Sequence, residues 1–198
     1  MSIVILNNRS VKDVTQFGSI SSLGSLTHIA TQTASSSSSI NFTSGIDSTY
    51  KQYIFYFVNI HSASTAYFQF NLSTDSGSNY NVTKTTTLFQ AYHDEADSST
   101  SLGYNTGQDL AQSTSPQYLT EVTTSNDDSG SGSLILFNPS SSVFVKHFMA
   151  DNNGVYSGYS NRRLVAGYAN TTSAIDAVQF TMSSGNIDSG QILLFGLN

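Results

Sequence analysis

The chain has 198 residues, enough for one domain with an ordinary core, and carries a formal net charge of −6 with a pI near 4.8. Charged residues make up only 10%, and Ser, Thr and Asn supply the polarity instead, a composition that argues against a helical bundle with a charged solvent face. With no Cys there is no disulfide or zinc-thiolate framework, and the acidic balance, with Arg162-Arg163 the one basic pair, disfavours nucleic acid and anionic membrane as partners.

Taken in chain order, residues 1–27 read as an extended arm. Ile3, Val4, Ile5 and Leu6 form a short strand-like run, and Val11, Val14 and Phe17 have the spacing of one or two helical turns. A first β-strand followed by a long loop is the alternative. The start has no charged n-region and its apolar run is short, so it does not read as a secretory signal, and synthesis in a cytoplasm is expected. No apolar run approaches the roughly 18 residues of a membrane span.

From His28 onward the pattern is strands and turns. His28–Ala34 alternates, Ser35–Ser39 is a connector, and Ile40-Asn41-Phe42 is a short strand. The most apolar run, Tyr53–Ile60, reads as the central strand, with Tyr53, Phe55 and Phe57 on one face and Ile54, Tyr56 and Val58 on the other. Thr65–Leu72 alternates cleanly and is expected to form an antiparallel hairpin with it. Tyr80–Tyr92 reads as an irregular or edge strand, and His93–Pro116 as a surface excursion or two short strands. Tyr118–Thr124, Leu134–Phe137, Val143–Met149, Ala174–Met182 and Gly190–Leu197 are further strands, and Asp151-Asn152-Asn153-Gly154 is the strongest turn signal. Three echoes, around Ile46-Asp47, Ile175-Asp176 and Ile187-Asp188, read as a reused turn with Ile tucked under and Asp capping backbone N–H groups. The sum is an all-β domain over 28–198, an antiparallel β-sandwich, jelly roll or barrel behind an N-terminal arm.

Sequence chemistry is sparse. His93-Asp94-Glu95-Ala96-Asp97 contains the letters of a helicase acidic box, but no phosphate-binding Gly-Lys-Ser/Thr loop accompanies it, and its spacing matches no calcium loop or zinc motif. It reads as a solvated acidic loop, as does Asn126-Asp127-Asp128. Serines are everywhere and no Gly-x-Ser-x-Gly elbow is present, so no nucleophile stands out. Catalytic residues, cofactors and metals are therefore not assigned. Tyr156, Tyr159 and Tyr168, beside Arg162, form an aromatic segment that suits either stacking on a sugar or a subunit interface, and Tyr56 is a further interface candidate.

Several phrases resemble virion proteins of tailed bacteriophages, many from aquatic phages. They are Phe42–Tyr50 running into Tyr53–Asn59, Ala91–Asp97, Leu136–Ser140 and the Gly190–Gly196 ending, so the likeness spans residues 28–198. The resemblance implies a non-enzymatic virion surface component. The first expectation is a capsid decoration (cement) protein that binds the major capsid protein, favouring a homotrimer. The alternative is a tail or head-fibre adhesin that recognises a glycan.

Overall fold

The structure, a computed structural model, describes residues 26–198. The arm candidates Ile3, Val4, Ile5, Leu6, Val11, Val14 and Phe17 lie outside the described residues.

The described chain is all-β, with two antiparallel sheets packed as a sandwich and no helix among the described residues. Its strands are β1 (Thr27–Thr33), β2 (Ile40–Phe42), β3 (Gln52–Ser62), β4 (Ala66–Ser73), β5 (Lys84–Asp94) and β6 (Thr100–Tyr104). They continue with β7 (Gln117–Val122), β8 (Gly130–Phe137), β9 (Lys146–Tyr156), β10 (Tyr159–Ala169), β11 (Ala177–Met182) and β12 (Ile187–Leu197). The large sheet has eight strands in the order β1-β12-β3-β8-β9-β10-β5-β6, and the small sheet has four in the order β2-β11-β4-β7.

Strand alternation explains the core. Tyr53, Phe55 and Phe57 of β3 are buried, and Phe55 and Phe57 meet Phe42, Phe68 and Phe180 from the small sheet at centroid distances of 5.1–5.3 Å. Phe180 touches all four of the other rings, which makes it the centre of this cluster. The other half of the interior is polar. Lys84, Thr86, Gln117, Asn152, Asn161 and Arg163 are all buried where β5, β9 and β10 face β7 and the chain after β6.

The expected hairpin of Tyr53–Ile60 with Thr65–Leu72 does not form. β3 pairs with β12 and β8, whereas β4 crosses to the small sheet and pairs with β11 and β7. Both strands point their aromatic faces at one core, and they achieve this from opposite layers. The polar parity of β4 is covered as well: Asn71 donates to the carbonyls of Tyr80 and Thr114 and accepts from Lys84 Nζ.

Asp151–Gly154 is not a turn but the middle of β9, in register with Gly130–Ser133 and Asn161–Leu164. The hairpin turns at Ser157-Gly158 instead, where both residues have positive φ, 49° and 78°. Gly154 serves a different end: a Cβ there would lie 2.6 Å from Thr120 Oγ1 and 2.7 Å from the Glu121 carbonyl, so its absence lets β7 settle on β9. β5 is an interior strand between β10 and β6, not an edge, and the excursion after it supplies the exposed edge strand β6. β9 begins only at Lys146, leaving Val143 and Phe144 exposed in the preceding turn.

The three Ile-Asp turns behave alike in part. Ile46, Ile175 and Ile187 are all buried. Asp47 and Asp176 accept from the backbone N–H groups of Thr49 and Ser76, but Asp188 accepts from the Ser36 hydroxyl and sits 3.2 Å from His61 Nδ1.

Candidate functional site

Two surfaces stand out, one on each face of the large sheet. The outer face faces away from the small sheet. One register row crosses seven strands from Thr87 to His28 through Ala166, Met149, Ile135, Ile54 and Phe195. The next row runs Phe89, Leu164, Asp151, Ser133, Tyr56 and Leu193. Phe89, Met149 and Leu164 are 46%, 55% and 41% exposed, an unusual concentration of large apolar side chains in water. The one formal charge in these rows, Asp151, is gripped by Arg162 through two parallel bonds of 2.9 and 2.6 Å. That pairing holds the Asp151 carboxyl below its ordinary range. Shallow grooves of about 510 and 310 Å³ flank Met149, the first walled by Phe137, His147 and Tyr168, the second by Phe89, Ile135 and Leu164.

The second surface is a cleft on the inner face, where the large sheet extends past the small one. Its walls are Gln90 and Tyr92 of β5, Tyr156 of β9, Tyr159 and Asn161 of β10, and Glu121 of β7. It encloses about 200 Å³. The β9–β10 turn places Tyr156 directly opposite Tyr159, and Tyr92 stands edge-on to Tyr159 at 5.6 Å. Beneath the cleft, Arg163 is 1% exposed, donates to Glu121 Oε2 at 2.9 Å and to Gln108 Oε1, and lies 5.0 Å from the Tyr67 ring centroid. Burial lowers the Arg163 pKa and raises that of Tyr67, the second effect reinforced by the Glu121 charge. Asn161 is 4% exposed, and its Oδ1 has no hydrogen-bond partner among the described residues.

The residues that the sequence grouped around the β9–β10 hairpin are therefore divided by strand parity. Tyr156 and Tyr159 line the cleft, whereas Arg162 and Tyr168 point out of the opposite face, where Tyr56 also lies, edge-on to Phe195 at 5.7 Å. Gln90, Glu121 and Asn161 were not singled out from sequence. Only the period-2 parity of β5 and β10 could have found Gln90 and Asn161, and only once their pairing was known.

The other sequence candidates fall into structural roles. Asp94 caps the turn after β5, accepting from the Ser98 hydroxyl and from the Ser98 and Ser99 N–H groups at 2.8 Å each, and the Ser98 hydroxyl bond first, then the backbone bonds, hold its pKa low. His93 and Asp97 make an exposed pair at 3.1 Å. His61 has Asp188 on one ring nitrogen, but its other nitrogen faces the Ser125 carbonyl at 3.2 Å rather than a hydroxyl nucleophile. Among the described residues no group of three His, Asp or Glu side chains is placed to hold a metal ion. Comparison with known proteins finds no protein-family model, no curated protein and no solved structure that matches the chain.

Proposed function

We propose that the protein is a non-enzymatic structural component of a tailed-phage virion, a capsid decoration protein that sits on the outer shell and stabilises it. The resemblance of its strand phrases supports the virion setting. The observation that carries the assembly role is the apolar outer face of the eight-stranded sheet. In this reading three copies meet through that face around a closed axis, and other surfaces contact the major capsid protein. The chemistry of the face supports self-association. Asp151 is already paired within the chain, so burial would leave no lone charge. The size is adequate too. Strands of 11 residues run roughly 36 Å and seven strands span roughly 29 Å, a face on the order of 1,000 Å² where a stable contact needs about 800 Å² per partner. No cofactor, nucleic acid or membrane enters this role.

Light scattering on the purified chain tests the self-association. The wild type should run as a trimer, and Met149→Asp and Tyr56→Ser should run as monomers that still unfold in one cooperative transition. A wild-type chain that stays monomeric at micromolar concentration would remove the outer face as a self-contact. Quantifying the protein in purified particles tests the setting: an amount comparable to the major capsid protein is expected, and a handful of copies per particle would sink the decoration role.

A further inference from the structure

We infer that the tyrosine-walled cleft on the inner face binds a neutral sugar ring. This does not depend on the assembly role, because the cleft opens on the opposite side of the large sheet from the apolar face. Tyr92, Tyr156 and Tyr159 offer flat apolar faces and hydroxyls, and the Tyr92–Tyr159 contact at 5.6 Å sets the angle between two of these walls. Gln90, Asn161 and Glu121 bring planar polar groups to the same space. A ligand that matches must carry apolar faces and several hydroxyls at once.

Charge narrows the class. Glu121 is the one charged group in the lining, and Arg163, fully buried behind it, already neutralises it at 2.9 Å. An anionic ligand would meet a carboxylate and no free cation. A purely apolar ligand would cover the Gln90 amide N–H groups with no acceptor, although the Gln90 oxygen already accepts from Asn105 Nδ2 at 3.1 Å. The Asn161 side chain is the independent pointer: it is 96% removed from solvent, it lines the cleft, and its amide oxygen accepts nothing from the described residues. A buried acceptor of this kind is costly unless a donor reaches it; the oxygen has no water-accessible surface of its own, so a ring hydroxyl pairs with it once the Asn161 side chain turns toward the cleft. The volume of about 200 Å³ equals the liquid share of roughly seven waters, room for one six-membered ring. A second groove of about 260 Å³ shares Gln90 and Tyr92 and continues toward β6, so a ligand of two or more linked rings has a path.

The chain contains no Trp but 11 Tyr, so the cleft's share of the tyrosine emission is read as the difference between the wild type and Tyr159→Phe. The test is a glycan array followed by titration of the intact chain with lactose, maltose, cellobiose and chitobiose. At least one neutral glycan should bind, with a dissociation constant on the order of 1 mM for a single-ring site. Tyr159→Ala and Asn161→Ala should each weaken it by about ten-fold or more, worth roughly 1.4 kcal/mol. Tyr159→Phe should keep most of the binding, which separates lost stacking from a misfolded hairpin. Leu164→Ser, on the opposite face, should leave it unchanged. Absence of binding to every neutral glycan, preference for charged glycans alone, or binding that survives both Tyr159→Ala and Asn161→Ala in folded protein would each overturn the assignment.

Discussion

Lys84 is buried to zero exposure, with no carboxylate near it among the described residues; its ammonium donates to Asn71 Oδ1 at 2.6 Å and to the Val82 carbonyl at 2.9 Å. Burial lowers its pKa from 10.5 to about 8. Below pH about 8 both native and unfolded chains hold the proton, so the full cost of burying the charge is felt. Between about 8 and 10 the unfolded chain keeps the proton and the native chain sheds it, so stability should rise with pH, by up to about 3 kcal/mol. Above pH 10 the trend should reverse, because the Tyr53, Tyr67 and Tyr80 pKa values are raised by burial and the unfolded chain ionises first. Denaturant midpoints across this range should show the maximum, and Lys84→Met should flatten its rising limb. Phe180 is the apolar counterpart. Touching four other rings at the sandwich centre, it should cost about 3–5 kcal/mol when cut to Ala, measured by urea unfolding.

At the scale of elements, β9 and β10 form the hairpin on which both faces of the large sheet depend. Gly154→Ala should destabilise it by about 1–3 kcal/mol, because the new methyl meets a backbone carbonyl of β7 that has no room to retreat. Thermal melting of that variant beside Gly158→Ala separates overpacking from simple loss of positive-φ freedom, which costs closer to 1 kcal/mol. This hairpin also marks where the sequence was legible and where it was not. Strands such as β3 and β4 announce themselves because alternation is written in their side chains. Asp151–Gly154 misled because strand parity splits its turn-forming residues: Asp151 pairs with Arg162 on the outer face, Asn152 is buried where Gly132 leaves it room, and Gly154 makes room for β7. Nothing local says that β4 belongs to the opposite layer from β3, since that choice rests on partners over 100 residues away in β11 and β12. The candidate sites suffered for the same reason. Tyr156 and Tyr159 were visible as a cluster with Arg162 and Tyr168, but only strand parity sends the two pairs to opposite faces.

On the scale of the whole molecule, an eight-stranded layer lies against a four-stranded one, so the larger sheet offers far more surface than the smaller can cover. The outer face should therefore respond to substitution as a surface and not as a core. Tyr56→Ser is informative in this respect. The side chain is 39% exposed, so the fold should survive with a loss of about 1 kcal/mol or less while association is lost. Unfolding of that variant in a denaturant titration would mean that the outer face is held together as tightly as the interior.

β12 occupies an unexpected place in that layer. It lies between β1 and β3, and it brings Ile187, Ile192 and Leu194 into the core, although it is the last strand in the described chain. The first described strand, β1, and the central strand β3 thus have no link until residue 187 and beyond have been made. A nascent chain on the ribosome cannot close its sandwich strand by strand; it must hold Tyr53–Ile60 with one edge open until synthesis has passed β12. Long-range pairing of this kind folds slowly and leaves an exposed edge in the interval. Chains stalled before Ile187 should remain protease-sensitive along their whole length, and chains stalled with β12 clear of the exit tunnel should acquire resistance in a single step.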